Sequence, residues 1–275
     1  MRTFHQMLMW PMSALTLIAF LGAFQGWLSP AWLIPMIIIL PVLYVFQHPL
    51  NIWYVKQFVH EFPTGIEKAL FAMMPYYRNL NVENRRKFRK RTLHLMTARE
   101  HIEKAMDSFP LDAKAILAAA QVQITFGFEN YQTPTYERIA LYPSDFPSPE
   151  FKKMHASETH DDGILIFALD RLMFAFMHPK EGYNIAIHET TEACLRDNVF
   201  AIPEEFESWV TLDEMLLIRG IESKEAWLEY TGLEELPLFH FTLESFFTQP
   251  LVLQNSKPEL YRNLCDLMQQ DPLRL

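Results

Sequence analysis

Residues 183–195 read Tyr-Asn-Ile-Ala-Ile-His-Glu-Thr-Thr-Glu-Ala-Cys-Leu, and this stretch decides how the rest of the chain is interpreted. It is largely apolar, but it carries one imidazole and two carboxylates, at His188, Glu189 and Glu192. Residues four apart lie on the same face of an α-helix. The spacing therefore predicts a helix on which His188 and Glu192 project side by side, with Glu189 next to His188.

The pattern differs by one residue from His-Glu-x-x-His, in which two histidines on a helix bind zinc and the glutamate acts as a general base. Glu192 stands where the second histidine of that motif would be. A carboxylate can also bind a divalent ion, but it changes the charge of the ligand set and raises the basicity of a metal-bound water. The motif alone leaves open both an altered metal site and a site without metal.

The composition excludes some classes of protein. The chain has 275 residues, half of them hydrophobic, which is enough for one large domain or two small ones. The formal net charge of -9 argues against direct binding of nucleic acid. The two cysteines, Cys194 and Cys265, are far apart in helix-like segments, so no disulfide framework is predicted and a reducing compartment fits.

The N-terminal segment has the composition of a membrane anchor. Residues 9–46 contain no Asp, Glu, Lys, Arg or His. One spanning helix needs about 20 apolar residues, so this stretch predicts a hairpin of two transmembrane helices with a turn at Ser29 and Pro30. One long tilted span and a re-entrant segment are the alternatives. A signal peptide is disfavoured because the apolar stretch is too long and lacks a small-residue cleavage site.

The flanking cations predict the orientation of this anchor. Arg2 precedes the hairpin, and Lys56 and the basic cluster at residues 85–91 follow it, whereas the turn is uncharged. Cytoplasmic flanks of membrane helices are enriched in Lys and Arg. We therefore expect a multi-pass protein of the inner (plasma) membrane whose soluble part lies in the cytoplasm. The basic cluster is expected to be either a solvated helix face or a contact with anionic lipid headgroups.

The remainder of the chain has the pattern of an α+β domain. Helices are predicted over residues 82–106 and in the alanine-rich stretch that starts at residue 110, and strands over residues 136–143 and 163–169. Residues 151–162 are polar and are predicted to form a loop. We expect a helix-rich, zincin-like domain with a small mixed sheet. The predicted divisions are a membrane anchor (1–55), a helical neck (56–135) and a zincin-like domain (136–275).

Several separated motifs together resemble the Mlc titration factor A family of zinc-dependent peptidases. They are Ile-Ala-Leu-Tyr-Pro-Ser-Asp-Phe at residues 139–146, Gly-Tyr-Asn-Ile-Ala-Ile-His-Glu at 182–189, and Glu-Ser-Phe-Phe at 244–247 followed by Leu-Tyr at 260–261 and Gln-Gln-Asp-Pro-Leu at 269–273. They occur in the order of the family and at roughly its spacing. The resemblance covers about residue 58 to the C-terminus, and the membrane hairpin lies outside it.

The resemblance implies metal-assisted hydrolysis of peptides. In the family, two histidines one helical turn apart and a glutamate from a later helix hold zinc, a further glutamate activates the bound water, and a tyrosine helps to stabilise the oxyanion. His188 matches the first ligand, Glu189 the catalytic base and Tyr230 the tyrosine. The chain departs from the family at Glu192, in place of the second histidine, and at Pro237, in place of the glutamate ligand.

Four residues near Pro237 could supply replacement ligands, namely Glu234, Glu235, His240 and Glu244. His240 and Glu244 are four apart on a helix predicted over residues 237–248. With His188 and Glu192 they form the predicted metal-binding set. Two imidazoles and a carboxylate suit zinc, and also iron or manganese.

Two functions follow from these expectations. The first is a membrane-anchored, zincin-like protein whose metal site is degenerate and which acts as a binding or regulatory protein or as a subunit of a larger membrane complex. Its expected partners are membrane lipid and another protein, and the family's partner class is a transcriptional repressor. The alternative is an active metal-dependent peptidase with a changed His/Glu ligand set. Whether the chain is an enzyme is left open.

Other reactive side chains in the sequence have simpler interpretations. His155 and His160 could form a metal-binding loop, but a solvated loop is favoured. Cys194 is expected to be buried packing rather than a nucleophile.

Overall fold

The computed structural model describes residues 4–59, 61–148, 154–179, 183–221, 223–231 and 235–274. The chain divides into two compact units, Met1–Pro63 and Thr64–Leu275. The predicted boundary between neck and zincin-like domain, at residues 135 and 136, falls inside the second unit, and that division stays a prediction.

The described residues of the first unit form the helices α1 (Phe4–Phe24), α2 (Leu33–Val45) and α3 (Gln47–Phe58), with a 3-10 turn at Pro30–Trp32 before α2. α1 packs against both others. Its segment Gln6–Phe24 is long and apolar enough to cross a membrane. α2 has only 13 residues, which is about 20 Å at 1.5 Å per residue and less than the roughly 30 Å of a hydrocarbon core.

The predicted second span is not one straight helix. The stretch Pro30–Val45 continues into α3 with a bend of 71°. Pro49, in the first turn of α3, has no N–H to donate to the carbonyl of Val45, and its ring disfavours a straight helix through this point. Among its described residues, the structure therefore has one helix of spanning length, α1. The stretch Pro30–Val45 and α3 could form a second span only if taken together, and they are bent, so the predicted hairpin of two spans is not shown.

The second unit is built around a four-stranded mixed sheet with the order β1-β2-β6-β5. Its strands are β1 (Glu100–Glu103), β2 (Arg138–Tyr142), β5 (Ser157–His160) and β6 (Ile164–Ala168). β1, β2 and β6 are parallel, and β5 is antiparallel to β6. The strands β3 (Phe146–Pro147) and β4 (Met154–His155) form a separate antiparallel pair. The predicted α+β class with a small mixed sheet is confirmed.

The outer two strands of this sheet were not predicted. The helix predicted over residues 82–106 ends at Ala98, and β1 follows it. β5 lies within residues 151–162, which were predicted as a loop, and that prediction is wrong for β4 and β5. Among the described residues each outer strand has only one neighbouring strand, so both are polar and show weak hydrophobic alternation.

Most of the other described residues of the second unit form helices. They are α4 (Ile66–Met73), α5 (Pro75–Asn79), α6 (Val82–Ala98), α7 (Leu111–Ile124), α8 (Leu169–Met177), α9 (Ile185–Arg196), α10 (Phe206–Trp209), α11 (Leu212–Arg219), α12 (Lys224–Thr231), α13 (Leu238–Thr248), α14 (Pro250–Ser256) and α15 (Pro258–Met268). α7 is buried from Ala115 to Ile124 and contacts both α6 and α9. Its alanines let neighbouring helices approach closely, and this fixes the position of α9.

Part of the basic cluster on α6 has a structural role. Lys87 donates to the carbonyl of Phe126 at 3.2 Å, and Arg91 donates to the carbonyls of Thr125 and Phe128 at 3.2 and 2.8 Å. These carbonyls lie just beyond the end of α7. Cations near a helix C-terminus satisfy carbonyls and interact favourably with the helix dipole. The cluster is therefore not only a solvated face.

Candidate functional site

The predicted helix at the centre of the site is confirmed as α9, Ile185–Arg196. It begins at Asn184, whose side chain accepts a hydrogen bond from the N–H of Ile187 at 3.1 Å. Asparagine is a preferred residue at this position because it satisfies a free N–H of the first turn. The apolar face of α9 is buried, and its polar side chains lie at one end of the sheet, next to β5 and α13.

Glu189 is held by two hydroxyl groups of β5. Ser157 Oγ donates to one carboxylate oxygen at 2.8 Å, and Thr159 Oγ1 donates to the other at 2.6 Å. Glu189 is buried, and burial raises its pKa to about 7 although both hydroxyls act to lower it. A carboxyl group with a pKa near neutrality can exchange a proton under ordinary conditions, which is the property required of a general base.

Ser157 and Thr159 were not predicted as site residues from the sequence. The available signal was their spacing, because residues two apart on a strand point to the same face of a sheet. That signal is readable only if residues 157–160 are recognised as a strand.

Glu192 has both carboxylate oxygens bound to groups of the same chain. Its Oε2 lies 3.0 Å from His240 Nε2, and its Oε1 accepts a hydrogen bond from Arg196 Nε at 2.7 Å. The hydrogen bond with His240, and then Arg196, lowers the pKa of Glu192 to about 2. Glu192 is therefore a carboxylate at neutral pH, and His240 donates to it from Nε2.

His188 lies beside this pair. Its ring centroid is 4.7 Å from that of His240 and 5.1 Å from that of Tyr183. Burial, with the proximity of His240, lowers the pKa of His188 well below its usual value, so the imidazole is neutral. Three of the four predicted metal ligands, His188, Glu192 and His240, are thus brought together from α9 and α13.

Glu244, the fourth predicted ligand, is engaged elsewhere. Arg219 of α11 donates to its carboxylate at 3.2 Å, and each side chain is only 1% exposed. The Arg219 guanidinium also lies over the rings of Phe241 and Trp227, at 5.2 and 5.9 Å. This arrangement is a buried ion pair that joins α11 to α13. It gives Glu244 a structural partner that the spacing of His240 and Glu244 did not indicate.

The remaining predicted residues are placed as follows. Tyr230 lies on α12, but its side chain is outside the described residues, so its predicted role stays a prediction. Pro237 precedes the first residue of α13 and offers no ligand atom. His160 Nδ1 lies 3.5 Å from an oxygen of Asp162. Cys194 is fully buried, and burial raises its pKa above the usual range, so it is unsuited to act as a nucleophile.

The arrangement does not fit a zinc ion, although the types of donor do. Two imidazoles and a carboxylate are ordinary zinc ligands. Here, however, the carboxylate of Glu192 is bound by a guanidinium on one oxygen and by an imidazole N–H on the other. Over the described ranges, no group of three or more His, Cys, Asp or Glu side chains is arranged to hold a metal ion. Binding of zinc by these three residues would require Arg196 and the N–H of His240 to leave the carboxylate.

Comparison with known proteins supports the family resemblance. The family described as glucose-regulated metallo-peptidase M90 matches residues 52–192, which is 141 of the 275 residues. The matched segment includes His188, Glu189 and Glu192, and it ends before α13. The family is one of zinc metallopeptidases, so zinc is the plausible metal if this chain binds one. No curated protein matches the chain. Because the match covers just over half of the sequence, the chain belongs to the M90 family of metallopeptidases.

Proposed function

We propose that this chain is a membrane-anchored, zincin-like member of its family that binds a protein partner without cleaving it. The observation that carries the proposal is the state of Glu192, which stands where a second histidine ligand would be. Its two oxygens are bound by Arg196 and His240. With Pro237 at the position that the family resemblance gives to the third ligand, two of the three expected metal ligands differ from the family pattern.

The surface beside α9 suits an extended polypeptide. β5 is the last strand in the order of the sheet, and it lies against α9. An outer strand can pair with an added strand of another chain, which contributes backbone hydrogen bonds without requiring a particular sequence. The partner is thus expected to bind in an extended conformation along β5, next to His188 and Glu189.

The proposal includes a membrane anchor and an orientation for the second unit. α1 and the bent pair formed by α2 and α3 would lie in the inner membrane as a multi-pass anchor, and the second unit would lie in the cytoplasm because the cations flank the apolar segment. The exposed side chains of the basic cluster, Arg86 and Lys90, would face anionic lipid. The same anchor and orientation would also suit a subunit of a larger membrane complex.

The orientation can be tested by proteolysis. Protease added to intact spheroplasts is expected to leave the second unit whole and to digest it only after the membrane is permeabilised. A periplasmic and a cytoplasmic marker protein serve as controls. Digestion of the second unit from outside would contradict the cytoplasmic orientation.

Hydrolysis is the central test of the proposal. The full chain in mild detergent, with and without added zinc, is expected to cleave a fluorogenic peptide library no faster than the Glu189→Gln variant. In cells, a photo-cross-linker at His160 on β5 should give the same discrete adduct with both proteins, and one at Arg262, on α15, should not. Zinc-dependent cleavage that Glu189→Gln abolishes would reject a non-hydrolytic function.

An active peptidase is the second candidate, and one observation favours it. Glu189 directly follows His188 on α9 and is buried with a pKa of about 7, which suits a general base. This candidate requires stoichiometric metal in the purified protein and loss of cleavage in Glu189→Gln. Absence of cleavage by a protein shown to contain metal would reject it.

A further inference from the structure

One side chain, Arg196, connects the elements that surround the site. It bonds Glu192 on its own helix at 2.7 Å, Asp161 in the turn after β5 at 2.6 Å, and the hydroxyl of Tyr136 before β2 at 3.2 Å. Through Glu192 it reaches His240 on α13. A single cation thus lies where segments from four parts of the second unit meet.

A bound metal ion would give the same kind of connection. In a metal site, the charge of the ion holds ligands from separate elements together, and binding contributes directly to folding. In this chain a guanidinium supplies the positive charge, and an imidazole N–H supplies the bond to the neighbouring helix. Arg196 and His240 each bind one carboxylate oxygen of Glu192, and a metal ion would use the same oxygens.

We infer that Arg196 and His240 take the place of the metal ion, so that the site is held together by the chain's own groups, and that a histidine at position 192 would turn it into a zinc site in which His240, rather than residue 237, is the third ligand. The inference deepens the proposed function and rests on its claim that the chain works without a catalytic metal. It predicts a fold whose stability does not depend on zinc.

The positions of the two imidazoles support the second half of this inference. The ring centroids of His188 and His240 are 4.7 Å apart. Two imidazoles bound to one zinc at 2.0–2.1 Å have centroids roughly 5 Å apart in tetrahedral geometry. The two rings are therefore close to the separation that a shared ion requires, and Glu192 contacts His240 at 3.0 Å. A histidine at position 192 would bring a third imidazole to that point and would remove the partner of Arg196.

The decisive experiment compares the parent chain with Glu192→His. Both are purified as full chains in mild detergent with a tag that contains no histidine, and bound zinc and the melting temperature are measured with and without chelator. The parent is expected to bind no stoichiometric zinc, and its Tm should be the same in chelator and in zinc. Glu192→His is expected to bind one equivalent and to gain about 5–10 °C at zinc concentrations 100-fold above Kd, a gain that chelator removes.

Matched variants identify the site. Glu192→Gln removes the charge without adding a ligand and should bind no zinc. Adding His188→Ala or His240→Ala to Glu192→His should abolish the stoichiometric binding. In the otherwise unaltered chain, Arg196→Met should lower the Tm without zinc, whereas Arg262→Met, which breaks an exposed ion pair with Glu259, should not.

Two results would overturn the inference. One is a parent chain whose Tm falls in chelator and is restored by zinc, and the other is a folded Glu192→His variant that binds no zinc. If Glu192→His does not fold, the chelator test on the parent still decides. The outcomes also separate this inference from the proposed function. Peptide cleavage by the zinc-free parent would refute the proposed function only, and zinc binding by a parent that cleaves nothing would refute only the inference.

Discussion

Replacing Arg219 with methionine is expected to destabilise the protein by about 3–5 kcal/mol, because it leaves the carboxylate of Glu244 buried without its partner. Both side chains are almost fully buried, and burial already raises the pKa of Glu244 despite the opposing charge of Arg219. Methionine keeps the volume and the contacts with Phe241 and Trp227, so the loss reports the charge rather than a cavity. The measurement is guanidinium-induced unfolding of the full chain in detergent, followed by tryptophan fluorescence.

The double variant Arg219→Met/Glu244→Leu provides the control. An apolar pair of similar volume is often neutral or stabilising in place of a buried ion pair, so most of the lost stability should return. Arg262→Met, at the exposed pair, should change the free energy of unfolding by less than about 0.5 kcal/mol. A loss in Arg219→Met as small as this would contradict the structural role of the ion pair.

Replacing Glu189 with glutamine is expected to stabilise the protein by about 3 kcal/mol at pH 8, because a pKa raised from 4.5 to about 7 corresponds to about 1.4 kcal/mol for each unit. The folded form binds more protons than the unfolded form between these two pH values. The parent therefore loses stability as the pH rises from 4.5 to about 7, and the loss is complete above the folded pKa. Glutamine resembles the protonated carboxyl group and carries no such loss.

The measurement is the free energy of unfolding of both proteins from pH 4 to pH 8. The difference in the free energy of unfolding should be small at pH 4 and should grow as the pH rises from 4.5 to about 7. Glu192→Gln gives a comparison of opposite sign, because the folded pKa of Glu192 is lowered. The stability that this carboxylate contributes is present above its unfolded pKa and is lost as the pH falls. A stability difference between Glu189→Gln and the parent that does not vary with pH would show that the pKa of Glu189 is not raised in the folded protein.

The parts of the fold that the sequence predicted are those with dense local signals. α9 carries helical spacing and β2 and β6 are largely apolar, and all three were predicted close to their observed bounds. β1 and β5 were missed because they are short, polar and located at the two ends of the sheet. Their conformation depends on pairing with residues distant in sequence, which a local pattern does not contain.

The site residues that were predicted are likewise those with a local signal in the sequence. The proximity of His188, Glu192 and His240 was predicted because two of them share a helix and the family order placed the third nearby. The roles of Arg196, Ser157 and Arg219 were not predicted, since each depends on which elements pack together. Arginine four residues after glutamate is common on any exposed helix, so its spacing from Glu192 gave no sign that it also reaches Asp161 and Tyr136.

The convergence of three groups on Arg196 has a consequence for how substitutions combine. Each of Asp161, Tyr136 and Glu192 can be changed with the loss of one bond, whereas a change at Arg196 removes all three bonds at once. Groups that share one partner show coupled rather than additive effects. The loss from Arg196→Met should therefore differ from the sum of the losses at its partners. A change at any one of the three partners is therefore expected to cost less stability than a change at the arginine that they share.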